Sequence, residues 1–160
     1  MTTNTSAPGT SWPQHIARWL LGGALIFAGT GHLTVGREEF LAQVPPWLPL
    51  DGDFVVVASG VVEIALGLAL IVAWGRWRLW VGWATALFFL AIFPGNIAQF
   101  TEGRDGFGLD TDLARGIRLL FQPVLVAWAL WSTGAWRAWR ARREARASRK
   151  PNDPADSSAP

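Results

Sequence analysis

The sequence predicts an all-α fold, a transmembrane four-helix bundle running up-down-up-down with both termini in the cytoplasm. Three observations carry this: four apolar runs of membrane-spanning length, a one-sided distribution of arginine, and polar residues recurring at matched depth inside those runs. The chain has 160 residues, 51% hydrophobic and 16% charged. Ordinary soluble domains carry about 25% charged residues. Here the deficit is concentrated in the long runs. A soluble helical bundle fails as an explanation, because runs apolar on nearly every face would leave large greasy surfaces in water.

Residues 1–14 are rich in Thr, Asn, Ser, Pro and Gly and read as a flexible leader. A transmembrane domain follows over 15–135, with spans at about 16–35, 54–74, 79–100 and 113–131. Each is near the ~20 residues needed to cross a bilayer. The first lacks a clean small-x-small site and runs straight into a structured-looking loop, so it is not read as a cleaved signal peptide. Residues 136–160 form a basic juxtamembrane helix and a tail whose last stretch, Pro151–Pro160, has the composition of disorder.

The loops set the orientation. Arg18, Arg76, Arg78 and the tail residues Arg137, Arg140, Arg142, Arg143, Arg146, Arg149 and Lys150 share one side. Of the fourteen Lys and Arg residues, only Arg37, Arg104, Arg115 and Arg118 fall on the other. The positive-inside rule places the first group in the cytoplasm. Trp agrees: of eleven, all but Trp47 lie near a cytoplasmic end. The expected location is an integral one, in a plasma membrane of bacterial type.

Between the first two spans, Arg37–Gln43 can form a short interfacial helix. Val44-Pro-Pro-Trp-Leu-Pro49 cannot be helix interior, since proline lacks an N–H and restricts its predecessor. It could fold over the mouth of the bundle as a lid, or anchor the loop at the interface. Asp110, Thr111 or Asp112 can cap the last span. The arginine-rich tail with Trp136 and Trp139 points to anionic lipid headgroups rather than nucleic acid.

There is no Cys, which excludes thiol redox chemistry, disulfides and iron–sulfur ligation; His15 and His32 are the only imidazoles. A protein-only metal site is not expected. Nor is a bis-histidine haem, because the two His lie near opposite ends of one span.

The polar residues inside the spans are His32, Glu63, Asn96, Arg115, Arg118 and Gln122. Glu63 is the most expensive, an acid ~14 Å deep at 1.5 Å rise per residue. Gln122 lies at similar depth, and His32, Arg118 and Asn96 lie nearer the outer ends. Positions i, i+3 and i+7 share a helix face. Gly29-His32-Gly36, Gly60-Glu63-Gly67 and Arg115-Arg118-Gln122 have that spacing, and small residues favour close helix approach in a bilayer. Arg115 reads as a surface residue at a helix start. Arg118 either snorkels outward or pairs with Glu63. Asn96 and Gln122 are either pocket groups or interhelical glue. Pro94 and Pro123 free the carbonyls of Leu90 and Leu119, which such amides can satisfy.

Phe27-Ala-Gly-Thr-Gly-His32, Val44-Pro-Pro-Trp-Leu-Pro49, Ser59-Gly-Val-Val-Glu63 with Gly67, Phe93-Pro-Gly-Asn96 and Arg118-Leu-Leu-Phe-Gln122 occur in this order. That order resembles the DoxX-like family of small four-helix membrane proteins over about residues 16–134. The resemblance implies association with redox proteins, since similar chains include a small membrane subunit of a thiosulfate:quinone oxidoreductase.

Two functions stay open. In the first, the chain is a subunit of a quinone-dependent oxidoreductase, inactive alone and requiring a partner protein that carries the redox cofactor. Glu63 and His32 would then be catalytic, as proton carrier and donor to a quinone carbonyl, and Asn96, Arg118 and Gln122 would bind the ligand. No cofactor would be covalently held. In the second, the chain is a non-enzymatic scaffold, assembly factor or lipid-interacting protein. A homo-oligomer is compatible with either. A proton-coupled carrier is a weaker reading, for want of a broken-helix repeat.

Overall fold

The computed structural model describes residues 9–106, 108 and 111–148, and contains only helices among them. They are α1 (Trp12–Leu33), α2 (Arg37–Leu41), α3 (Gly52–Val72), α4 (Trp77–Thr101), α5 (Asp112–Ser132) and α6 (Ala135–Ala147). The expected leader over residues 1–8, the cap at Asp110 and the tail from Arg149 onward lie outside the described residues.

Helix starts follow from local side chains. The Gln14 side chain reaches back to accept from the Ser11 N–H at 3.0 Å, with Pro13 in the first turn of α1. Asp51 accepts from the Phe54 N–H at 2.9 Å to open α3, and Thr111 accepts from the Ala114 N–H at 3.2 Å to open α5. The left-handed Gly134 (φ 73°) ends the run of α5 and turns the chain into α6.

α3, α4 and α5 are each long and apolar enough to cross a membrane. α1 has the length but falls outside that group, although the sequence reading counts it as a span. Its first third carries Gln14, His15 and Arg18, and His32 sits near its other end. The reason for this polarity is visible in the packing. Arg18 donates to the carbonyl of Ala73, just past α3, and Gln14 donates to the carbonyl of Trp131, near the end of α5, at 2.6 Å. Helix C-termini leave carbonyls short of internal partners, and α1 supplies donors to two carbonyls at such ends. Gln14 and Arg18 are accordingly buried.

α1 packs chiefly on α3, and α4 chiefly on α5. The first pair meets almost backbone to backbone. A Cβ on Gly29 would lie 2.5 Å from the Gly60 carbonyl oxygen, and one on Gly67 would lie 2.6 Å from that of Gly22. One position in the expected stripes changes. Gly36 lies beyond the end of α1 and meets Gly31 and Phe40 instead of α3. Gly22 takes its place, one helical heptad before Gly29. Fewer contacts join the α1–α3 pair to the α4–α5 pair. Large side chains such as Phe27, Val61, Leu68, Leu87 and Leu120 are left exposed.

Candidate functional site

A cavity of about 540 Å³ lies between the two helix pairs. Leu25 of α1, Phe88, Phe89 and Ile92 of α4, and Leu125 of α5 give it apolar walls. His32, Glu63, Asn96, Arg118 and Gln122 all line it, one from each of α1, α3 and α4 and two from α5. Their meeting depends on helix phase. The Gly29/Gly60 contact holds α1 and α3 so close that a Cβ on Gly60 would lie 2.6 Å from the His32 Cβ. His32 and Glu63 are thereby brought side by side.

His32 Nδ1 donates to the Val56 carbonyl at 3.1 Å, so the hydrogen on that nitrogen is fixed by an oxygen that can only accept. Its Nε2 faces Glu63 Oε2 at 3.4 Å. That is ion-pair range rather than a formed hydrogen bond, and Glu63 Oε2 is buried without a hydrogen-bond partner. Both residues are buried, at 7% and 6% exposure. One face of the imidazole stacks on Phe40 of α2, with ring centroids 3.4 Å apart. The Arg118 charge acts on both members of the pair.

The two amides are engaged with each other. Asn96 Nδ2 donates to Gln122 Oε1 at 3.0 Å, and Gln122 Nε2 donates to the Phe89 carbonyl. The relieved carbonyl is one residue before Leu90, the one Pro94 was expected to free. Arg115 departs from the surface role expected of it. It is buried and bridges Asp105 at 3.0 Å and Asp112 at 2.9 Å, tying the connection between α4 and α5 to the start of α5.

The Val44–Pro49 segment closes the cavity on one side. Gln43, Val44, Pro45 and Leu48 line it, while Trp47 lines its rim and stays 64% exposed. The segment is seated on α4, where a Cβ on Gly95 would meet the Gln43 carbonyl oxygen at 2.4 Å. Arg104 Nη2 donates to the Val44 carbonyl at 2.9 Å and pins it. Within the segment Pro45 is buried against the cavity, while Pro46, Trp47 and Pro49 are exposed.

Sequence reasoning missed Phe40, Gln43 and Ser59 as lining residues. Ser59 lies four residues before Glu63, on the same face of α3, which is a usable signal. Phe40 lies on α2 and Gln43 just after it, and no local pattern encodes how that connection docks. Among the described residues no group of three or more His, Asp or Glu could hold a metal ion.

A family model described as "Domain of unknown function (DUF8561)" matches residues 21–133, which takes in every one of these lining residues. No curated protein and no solved structure matches the chain.

Proposed function

The chain belongs to that family of unknown function, and we propose that it is a DoxX-like integral membrane protein acting as the small membrane subunit of a quinone-linked complex. In this reading α1, α3, α4 and α5 cross the bilayer up-down-up-down, both termini are cytoplasmic, and the cavity at Glu63 opens toward the outer side. α3, α4 and α5 have the length and composition for this. α1 joins them because its polar groups are spent on neighbouring helix ends, leaving little of its cost to lipid.

One observation carries the functional part: the buried Glu63 Oε2 has no hydrogen-bond partner and faces an apolar-walled cavity of about 540 Å³. Leaving such an atom unmet is costly, and a ligand donor or a proton offsets that cost. The chain's residues fit a flat, carbonyl-bearing aromatic ring between Phe and Leu walls. A bound quinone supplies the electron-acceptor chemistry that no residue of this chain has. The partner protein carries the cofactor that delivers electrons. Glu63 holds the proton, His32 Nε2 faces it across the pair, and Arg118 sets the charge balance. The Val44–Pro49 segment excludes water from that proton's surroundings.

The test is purification of the chain with its native partners in mild detergent, followed by extraction of bound quinone and assay of quinone reduction. Glu63→Gln keeps the shape and removes the acid. It is expected to abolish turnover while the complex stays assembled; unchanged turnover sinks the proposal. The Asn96–Gln122–Phe89 chain of hydrogen bonds favours a second reading, a non-enzymatic membrane scaffold whose polar residues serve only packing. It is the better reading if no small molecule co-purifies and both Glu63→Gln and His32→Ala simply lower thermal stability.

A further inference from the structure

A second cleft, of about 470 Å³, lies on the outside of the helix assembly at the opposite end from the Val44–Pro49 segment. Leu90 of α4 and Pro123, Val126 and Leu130 of α5 form its apolar length. Trp131 and Trp136 flank its mouth, 51% and 46% exposed, where an amphipathic ring suits the boundary between hydrocarbon and water. Its head is Gly134 and Arg137.

Two guanidinium groups lie near Gly134, that of Arg137 lining the cleft and that of Arg78 buried behind it. The Nη2 atoms of Arg137 and Arg78 lie 3.9 and 4.0 Å from the point a Cβ on Gly134 would occupy. Arg78 is 7% exposed, so its charge is held in place by packing. Arg137 makes no ion pair among the described residues; its Nη2 donates to the Gly9 carbonyl at 3.0 Å and to Gln14 Oε1 at 2.8 Å. Gly134 is also the N-cap of α6 and has no side chain to cap it, so the positive end of that helix lies at the same place. α6 then continues with Arg140, Arg142, Arg143 and Arg146 against the single acid Glu144.

We propose that this cleft is a binding site for one anionic phospholipid of the inner leaflet. An acyl chain lies along Leu90, Val126 and Leu130, and the phosphate sits at Gly134 beside Arg137, with the buried Arg78 charge behind it. The charge complementarity is with a phosphate that carries no compensating amine, which selects an anionic headgroup over a zwitterionic one. The site is separate from the Glu63 cavity and stands whatever that cavity binds.

The full-length chain, purified in mild detergent, is to be exchanged into mixed micelles of phosphatidylglycerol and phosphatidylcholine and examined by native mass spectrometry. One retained phosphatidylglycerol per chain is expected, in preference to phosphatidylcholine. Arg137→Gln should lower that preference about five-fold, the scale of one basic contact at an anionic surface. Arg137 also holds Gly9 and Gln14, so Ala127→Trp, which fills the cleft from an exposed position of α5, provides an independent variant and should abolish retention. Arg146→Gln removes a charge from α6 outside the cleft and should leave retention unchanged. Equal retention of phosphatidylcholine overturns the proposal. So does a loss in Arg146→Gln as large as in Arg137→Gln, which would mean diffuse attraction. Retention undisturbed in Ala127→Trp, or displacement by soluble glycerol phosphate, would overturn the acyl part of the site.

Discussion

Whether the Glu63–His32 pair can do chemistry turns on one proton. His32 Nδ1 is committed as a donor to Val56, so in the neutral ring Nε2 can only accept. A favourable contact with Glu63 then needs one proton on the Glu63 oxygen or on Nε2. Either arrangement leaves the pair with a single transferable proton, in a place where an unpaired charge is expensive. Gln122 behaves differently. Its amide is used twice, on Asn96 and on the Phe89 carbonyl. Gln122→Leu strands both partners in an apolar setting and should destabilise the protein by about 1–2 kcal/mol, a typical scale for such interhelical bonds. Thermal unfolding in detergent checks this. A variant as stable as wild type would mean that the two amides are not structural glue.

At the scale of elements, the α1–α3 contact decides what the site can be. Gly29 and Gly60 are needed because the Gly60 carbonyl lies where a Gly29 Cβ would go, and the His32 Cβ and the Gly29 carbonyl lie where a Gly60 Cβ would go. Gly29→Ala should therefore cost about 1–3 kcal/mol through overpacking. Gly23→Ala, one residue into open space on the same helix, should be neutral or stabilising by up to about 1 kcal/mol from helix propensity. Opposite shifts in melting temperature check the pair; equal shifts would mean that the close approach is not maintained. The helices and the faces of His32 and Glu63 could be read from the sequence because apolar length and 3.6-residue periodicity are local properties. Gly36 misled because the end of α1 depends on the turn at Thr34–Gly36, which periodicity does not see. Arg115 misled because its partners, Asp105 and Asp112, are gathered by a loop rather than by a helix face. Phe40 and Gln43 stayed hidden because only the seat of the Val44–Pro49 segment on Gly95 brings them to the cavity. Gly95→Val should unseat that segment, opening the cavity to solvent. Faster labelling by a water-soluble thiol reagent of a cysteine placed at Ser59 would report it, and an unchanged rate would show that the seat is not what holds the segment.

For the whole molecule, the status of α1 separates two topologies. Three helices have the composition of spans, and three spans would put the termini on opposite sides of the membrane. Four spans put them on the same side. The arrangement of charge favours four, since Arg18, Arg78 and Arg137 all gather at one end, with α1 bridging to the Ala73 and Trp131 carbonyls. An α1 lying on the surface would remove His32 from Glu63 and break those contacts. The chain lacks cysteine, so single introduced cysteines report accessibility without background. Thr3→Cys and Ser148→Cys should both resist a membrane-impermeant maleimide in intact cells and react after permeabilisation. Leu50→Cys, in the exposed loop before α3, should react in intact cells. If Thr3→Cys and Ser148→Cys behave oppositely, α1 does not cross. The cavity would then lose a wall, and the proposed role of Glu63 would fall with it. If all three sites invert together, the bundle survives but the cavity opens to the cytoplasm, and the partner that supplies electrons must be sought there.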